Sequence, residues 1–252
     1  MTGKLFLIGL GPGDPAMQTP QAIAALSLAT DLIGYGPYVD RVPLRSGLRR
    51  YATDNREEIS RARHALELAA AGRQVAVVSS GDTGVFAMAS AVFEAIEHGA
   101  PEWRGIDVEV IPGISAMFAV AARIGAPLGH DFCAISLSDN LKPWEVVTQR
   151  LQAAAGAGFV IALYNPISRA RPWQLGAAFD VLRAILPAAT PVIIATAVSR
   201  TDETIDIFSL ADANPVRADM RSLVLIGSAA TRSIERPNGS AWIYSPRSQA
   251  AA

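Results

Sequence analysis

Three times in the first half of this chain an apolar run breaks into a glycine turn and gives way to helix. That rhythm is the signature of a parallel sheet covered by helices, with its loops gathered at the carboxyl ends of the strands. Leu5–Ile8 runs into Gly9-Leu-Gly11-Pro-Gly13-Asp14-Pro15, Gln74–Ser79 into Ser80-Gly-Asp-Thr-Gly84, and Asp107–Ile111 into Pro112-Gly-Ile-Ser-Ala116. Gln74–Ser79 is continuously apolar over most of its length, as expected of a strand buried on both faces. Between these runs, Thr19 followed by Pro20 predicts an N-cap with proline at the first helical position, and a helix to Ala29. Asp31–Tyr35 reads as a further strand. Asn55 and Glu58 form a capping-box pattern for a helix ending at Gly72, and Val85–His98 is expected to be helical.

The second half has a different pattern. Gly125-Ala-Pro127 reads as a linker, followed by strands at Phe132–Leu137, Phe159–Tyr164, Val192–Val198, Thr204–Phe208 and Leu223–Gly227, with helices near Pro143–Ala155 and Trp173–Leu186. Ser199–Glu203 is too short for a parallel crossover, so the sheet here should be mixed. The expectation is two α/β domains, residues 1–122 with a mainly parallel sheet and 123–252 with a mixed one, and a cleft between them. Ser248–Ala252 is expected to fray.

Composition narrows the function classes. Half of the 252 residues are hydrophobic and only 18% are charged, against about 25% in an average soluble chain, so most segments should be buried on at least one side. A net charge of −1 offers no footprint for nucleic acid. All the basic residues except Lys4 and Lys142 are arginines, which suits a polyanionic substrate, although an arginine-rich proteome gives the same count. Cys133 is the single cysteine, which excludes an internal disulfide, a cysteine-ligated zinc and an iron–sulfur cluster built by this chain alone, and fits a reducing cytoplasm. Met1–Lys4 is too short for a secretory peptide. The long uncharged runs, Leu151–Ser168 and Ala184–Ser199, are interrupted by Gly and Pro and read as helix–strand junctions, not membrane spans.

The first turn does not complete a dinucleotide fingerprint. That motif needs a third glycine at the sixth place, where a helix packs under a pyrophosphate; here the sixth place is Asp14. A carboxylate repels a pyrophosphate, and Pro12 and Pro15 break a smooth helix start. The turn suits a ligand without phosphate, such as the cationic nucleoside S-adenosylmethionine; a Gly/Pro crossover with no ligand is the alternative. No nucleophile elbow surrounds Ser115 or Ser228, no Walker lysine follows a glycine turn, and His64, His98 and His130 are scattered.

Four ordered segments, Gly9–Asp14, Ser79–Gly84, Pro112–Ala116 and Ala162-Leu-Tyr-Asn-Pro166, together resemble the tetrapyrrole methylase superfamily over nearly the whole chain, from Lys4 to about Gly227. The resemblance implies an S-adenosylmethionine-dependent enzyme that methylates carbons of corrin precursors, working as a cytoplasmic homodimer on a small tetrapyrrole, with no nucleic-acid or membrane partner. Ala162–Pro166 with Ser168, Arg169, Arg171 and Pro172 resembles the branch that methylates C17 and contracts the macrocycle. Thr83 departs from the proline usual in the second turn, and Arg200-Thr-Asp-Glu203 only approximates the family's Arg-Pro-Asp-Glu.

By this resemblance the cofactor falls to Pro12, Gly81, Asp82, Val85, Phe86, Ser115, Ala116, Leu163, Tyr164 and Ile226. Catalytic roles fall to Asn165, Arg169 and Asp202, with Glu203 more simply a solvated loop residue. Asp14, Ser79 and Arg171 are candidates for substrate contact, as are Arg41, Arg45, Arg49 and Arg50, read as one loop that anchors carboxylates. Other methylases of the superfamily, a nucleotide-dependent oxidoreductase and a non-catalytic ligand sensor are the competing readings.

Overall fold

A computed structural model describes residues 3–54 and 57–248. The chain divides into two compact units, 1–116 and 117–252.

In the first unit, β1 (Lys4–Gly9) leads through α1 (Pro20–Leu28) to β2 (Asp31–Tyr35), a single helical turn α2 (Gly36–Val39) and β3 (Arg49–Thr53). Then come α3 (Glu58–Ala70), β4 (Gln74–Ser79), α4 (Met88–His98) and β5 (Asp107–Ile111). The five strands are all parallel in the order β3-β2-β4-β1-β5. Alternation along β1 divides its side chains between two cores. Leu5 and Leu7 join Val75, Val77 and the buried faces of α3 and α4, while Phe6 and Ile8 join Ala76, Val78 and the Ala22 and Ala25 face of α1. The β1–β2 crossover passes over β4, and the β4–β5 crossover passes back over β1 on the other face. Two crossovers of the same hand require that arrangement. It sends the loops that follow β1 and β4 to opposite faces at the carboxyl edge of the sheet, the edge where open parallel sheets bind ligands.

Local signals explain most boundaries. The Thr19 hydroxyl accepts the Ala22 N–H at 3.1 Å and caps α1. Gly72, at φ +86°, ends α3. Asn55 of the expected capping box lies outside the described residues, as do Met1, Thr2 and Gln249–Ala252. Two expectations need correction. α4 begins at Met88 rather than Val85, because Phe86 sits at φ +52°, outside helical space. The arginines thought to share a loop do not: Arg49 and Arg50 open strand β3, an edge strand whose charged pattern hides it from a hydrophobicity reading.

The second unit begins within α5 (Ala116–Ile124). Gly125-Ala-Pro127 is not a mere linker, since β6 (Gly125–Ala126) pairs in parallel with a late strand. β7 (Phe132–Ser136), α6 (Trp144–Gly156), β8 (Val160–Tyr164), α7 (Gln174–Arg183), β9 (Pro191–Thr196), β10 (Thr204–Ser209) and β11 (Ser222–Ile226) follow. They form a mixed sheet in the order β10-β9-β11-β8-β7, with only β7 and β8 parallel. The α6 and α7 residues Leu151, Leu175, Phe179 and Leu182 pack with Ile161, Leu163, Val224 and Ile226 into one core. Unforeseen were β12 (Arg232–Glu235) and β13 (Ala241–Tyr244), a hairpin whose turn contains Asn238-Gly239, with Gly239 at φ +79°. A Cβ on Gly125 would lie 2.6 Å from the Ile243 carbonyl, so only glycine lets β6 meet β13.

The amino-terminal edge of the first sheet is held by ions. Lys4 bridges Asp107 and Glu109, and the buried Asp31 accepts from Arg73 Nε at 2.7 Å and from the Thr30 hydroxyl at 2.6 Å. Burial alone would raise the Asp31 pKa, but bonds from Arg73, Thr30 and Tyr51 outweigh it and hold the carboxyl below its ordinary value. The stability this supplies is complete above the unfolded-chain value of about 3.9 and is lost as the pH falls through the lower folded value. Asp31→Asn should therefore flatten the acid limb of a stability–pH curve measured by urea unfolding. An acid limb as steep as the parent's would show that other carboxylates set it.

Candidate functional site

The three glycine turns converge at the carboxyl edge of the first sheet. Leu10 N donates to Ser79 O at 2.9 Å, while Gly11 and Gly81 exchange N–H···O bonds of 3.1 and 2.8 Å. The third turn is closer still. A Cβ on Gly113 would stand 2.2 Å from Gly81 O, and one on Gly9 would stand 2.6 Å from Gly113 N. Gly81 itself adopts φ +66°, a left-handed conformation that costs glycine little. The turns thus meet backbone on backbone, and main-chain groups form much of this edge.

Two charged side chains lace the turns together. Asp82 accepts Gly84 N on one oxygen at 2.7 Å and Gly113 N on the other at 3.0 Å, joining the second turn to the third. Arg41 Nη2 donates to the carbonyls of Leu10 (2.8 Å), Gly11 (3.0 Å) and Gly13 (3.4 Å), and its Nη1 donates to the Ser80 hydroxyl at 3.1 Å. Beneath them the buried Ser79 hydroxyl accepts Met88 N at 3.4 Å at the head of α4. Pro12 and Ser115 are buried, Val85 is half-buried, and Ala116 opens α5. Phe86 and Ile114 stay exposed, an apolar surface beside the turns that the sequence reading only half anticipated. Asp14 caps the short 3-10 turn Pro15–Met17 through a 2.8 Å bond from Ala16 N and is otherwise exposed.

The expected arginine anchor does not assemble. Arg45 donates to the carbonyls of Leu26 and Ala29 at the end of α1, and Arg50 to those of Val39 and Val42. Arg49 is exposed at the start of β3, paired in register with Asp31 at the amino-terminal edge. Of the four arginines only Arg41 reaches the glycine turns.

In the second unit a polar group forms where β7 and β8 end. Asn165 follows β8 at φ +52°, a left-handed position that asparagine tolerates, and its amide donates to the Ser136 hydroxyl at 3.0 Å. Tyr164 OH accepts Met117 N at 3.3 Å. Ser168 and Arg171 exchange backbone bonds of 3.1 and 3.0 Å across a tight turn that exposes Arg169, and Arg171 Nη1 reaches Asn165 O at 3.4 Å. Leu163 and Ile226 are fully buried in the core, so their side chains face Phe179 and its neighbours rather than solvent. Asp202 is placed elsewhere: it pairs with Arg221, which also holds Asp219, and the bond from Arg221 draws its pKa below the ordinary value. Glu203 accepts Ser199 N and pairs with Arg123 of α5 at 3.2 Å, steadying a turn in which Ala197 and Ser199 both have positive φ. Ser136 carried no sequence signal, because only the register of β7 beside β8 brings it to Asn165.

Chemically, the turns offer oriented main-chain donors and acceptors with an exposed aromatic ring, and the Asn165 group offers amide and guanidinium donors. Such groups bind and align.

Residues 4–214 match the family model for tetrapyrrole (corrin/porphyrin) methylases. The chain is 57% identical over its whole length to a precorrin-3B C(17)-methyltransferase of Sinorhizobium sp., covering 99% of that protein. It is 43% identical to a probable cobalt-factor III C(17)-methyltransferase of Salmonella typhimurium, over 90% of this chain and 93% of the other. The crystal structure of the methyltransferase CobJ superposes with a TM-score of 0.93 at 51% identity, covering 97% of this chain and all of that one.

Gly113→Ala tests the convergence of the turns. Its methyl cannot fit against Gly81 O, and overpacking of this kind costs about 1–3 kcal/mol, visible as a lowered melting temperature. Gly105→Ala, which meets nothing within 4 Å, should shift stability by no more than about 0.5 kcal/mol. Equal melting temperatures for the two variants would show that the turns can move apart.

Proposed function

Because this chain belongs to the tetrapyrrole (corrin/porphyrin) methylase family, we propose that it is an S-adenosylmethionine-dependent C-methyltransferase of cobalamin biosynthesis. It converts precorrin-3B to precorrin-4 by methylating C17 and contracting the macrocycle. The observation that carries this reading is the 57% identity with the Sinorhizobium enzyme over the whole chain.

The residues at the turns suit such a cofactor. A ligand lying on Gly81 and its neighbours meets main chain rather than side chains, and the exposed Phe86 ring offers an apolar face to an adenine. When bound, S-adenosylmethionine supplies an electrophilic methyl group. The chain's own task is alignment, which can contribute roughly 7–11 kcal/mol when two reactants are held in near-attack geometry. In the first unit, Pro12, Gly81, Asp82, Val85, Phe86, Ser115 and Ala116 are assigned to cofactor binding, with Asp82 acting by holding Gly113 and Gly84 in place. Tyr164, Leu163 and Ile226 of the second unit are likewise assigned to cofactor binding, the last two by their backbones because their side chains lie in the core.

Ring contraction needs a proton to leave a hydroxyl while a carbon migrates. Asn165, fixed by Ser136 in a left-handed conformation, and the exposed Arg169 are assigned to polarise the substrate there. Arg171 is assigned to its carboxylates, where a charge-assisted bond contributes about 1.5–3 kcal/mol. The exposed Asp14 completes the substrate assignment, whereas Ser79, buried with its hydroxyl on Met88 N, holds the second turn to the head of α4 instead. The ion pair with Arg221 gives Asp202 first the work of fixing the β9–β10 turn.

A homodimer in the cytoplasm belongs to the same proposal; the exposed Phe93 of α4 and Phe118 of α5 support the association, and the single cysteine fits the compartment. No helix among the described residues is long and apolar enough to cross a membrane.

The test is incubation with precorrin-3B and methyl-labelled S-adenosylmethionine, read by mass spectrometry and carbon NMR. One labelled methyl at C17 and a contracted ring are expected. Label transfer only to the cobalt-containing precursor would move the substrate toward that of the Salmonella relative, and transfer to neither would overturn the reading.

A further inference from the structure

We propose that Arg41 is a positioning residue that fixes the glycine turns of the cofactor site, and not an anchor for substrate carboxylates. The inference rests on the cofactor assignment above. Arg41 follows α2, outside the three motif turns, yet its guanidinium has acceptors on two of them: three carbonyls of the first turn and the Ser80 hydroxyl of the second. The three carbonyls converge on one nitrogen, and such aligned dipoles repel one another unless a cation sits at their focus. Leu10 is fully buried, so an unsatisfied carbonyl there would carry a desolvation cost.

The shape of the donor matters as much as its charge. A guanidinium directs its two terminal nitrogens along different lines and so spans both turns at once, whereas an ammonium is a point donor. Asp82 completes the lacing by joining the second turn to Gly113 of the third. Side chains of opposite charge therefore hold the three backbones in register. With its terminal nitrogens engaged by the protein, Arg41 sets where the ligand's main-chain partners stand.

The experiment is calorimetric titration of S-adenosylhomocysteine into the full-length parent, Arg41→Ala, Arg41→Lys and Arg183→Ala, with melting temperatures and steady-state kinetics for each. Arg183 likewise donates to two main-chain carbonyls, those of Leu210 and Ala213, but in the second unit. Losing bonds from a charged donor should raise the Kd of Arg41→Ala about 10- to 100-fold. The lysine variant should stay at least several-fold weak, and Arg183→Ala should bind as the parent does. The KM for S-adenosylmethionine should rise in step with Kd, with kcat at saturation and the KM for the tetrapyrrole little changed. If Arg41→Ala fails to fold, the lysine variant decides by the same measurements. Parent-like binding by the folded Arg41 variants would overturn the proposal, as would a rise confined to the tetrapyrrole KM. A parent that does not bind S-adenosylhomocysteine would instead overturn the cofactor assignment itself.

Discussion

Everything at the candidate site depends on three turns approaching until their backbones touch. Gly9, Gly81 and Gly113 meet at distances that leave no room for a Cβ on the first or the last. Glycine in such places has a cost, roughly 0.5–1 kcal/mol of extra chain entropy at each ordered position. The fold offsets it with bonds that cross from turn to turn: the reciprocal Gly11–Gly81 pair, Asp82 to Gly113, and Arg41 to the first and second turns. The approach is possible because β1 lies between β4 and β5, and β1 lies there because the two crossovers run in opposite directions on opposite faces. Strand order, helix placement and site geometry are one constraint at three scales.

The two edges of the first sheet do different work with the same residue types. At the amino-terminal edge, Lys4, Asp31, Arg73, Asp107 and Glu109 pair with one another and close the sheet. At the carboxyl edge, Arg41 and Asp82 bond to backbone rather than to each other, so their charges organise loops. The second unit puts its unusual backbone at strand ends too: Asn165 follows β8, and Ala197 and Ser199 follow β9, all with positive φ. Residues held in such conformations persist only where neighbours over-determine them. Ser136 fixes the Asn165 side chain, and Glu203 with Arg123 fixes Ser199.

The fold was largely legible because its signals are local. The apolar continuity of Gln74–Ser79, the Thr19-Pro20 cap and the shortness of Ser199–Glu203 each point to one structure, and that structure forms. What escaped was non-local. β3 carries charges because it is an edge strand, and β6 is two residues long and exists only because β13 passes beside it. The site was legible as motifs but not as contacts. Glycine spacing marks where backbone must come close, whereas nothing in the order of Arg41, Arg45, Arg49 and Arg50 says that one guanidinium turns to the glycine turns and two others to carbonyls near α1 and α2.

Thr83 stands where the resemblance drawn from the sequence leads one to expect proline, and the turn accommodates it. Its carbonyl accepts Ala89 N at 3.0 Å and so starts α4, a bond that proline at this position would also supply. What threonine adds is a hydroxyl, fully buried and 3.5 Å from that of Ser79. A buried hydroxyl without a polar neighbour would be destabilising, so the substitution is tolerable because Ser79 already stands there. Proline's ring would have restricted the residue before it to extended backbone. In this chain that residue is Asp82, and its orientation is set instead by the two amides its carboxylate holds. Hydrogen bonding from the Asp82 side chain thus keeps the turn in its place against Gly113.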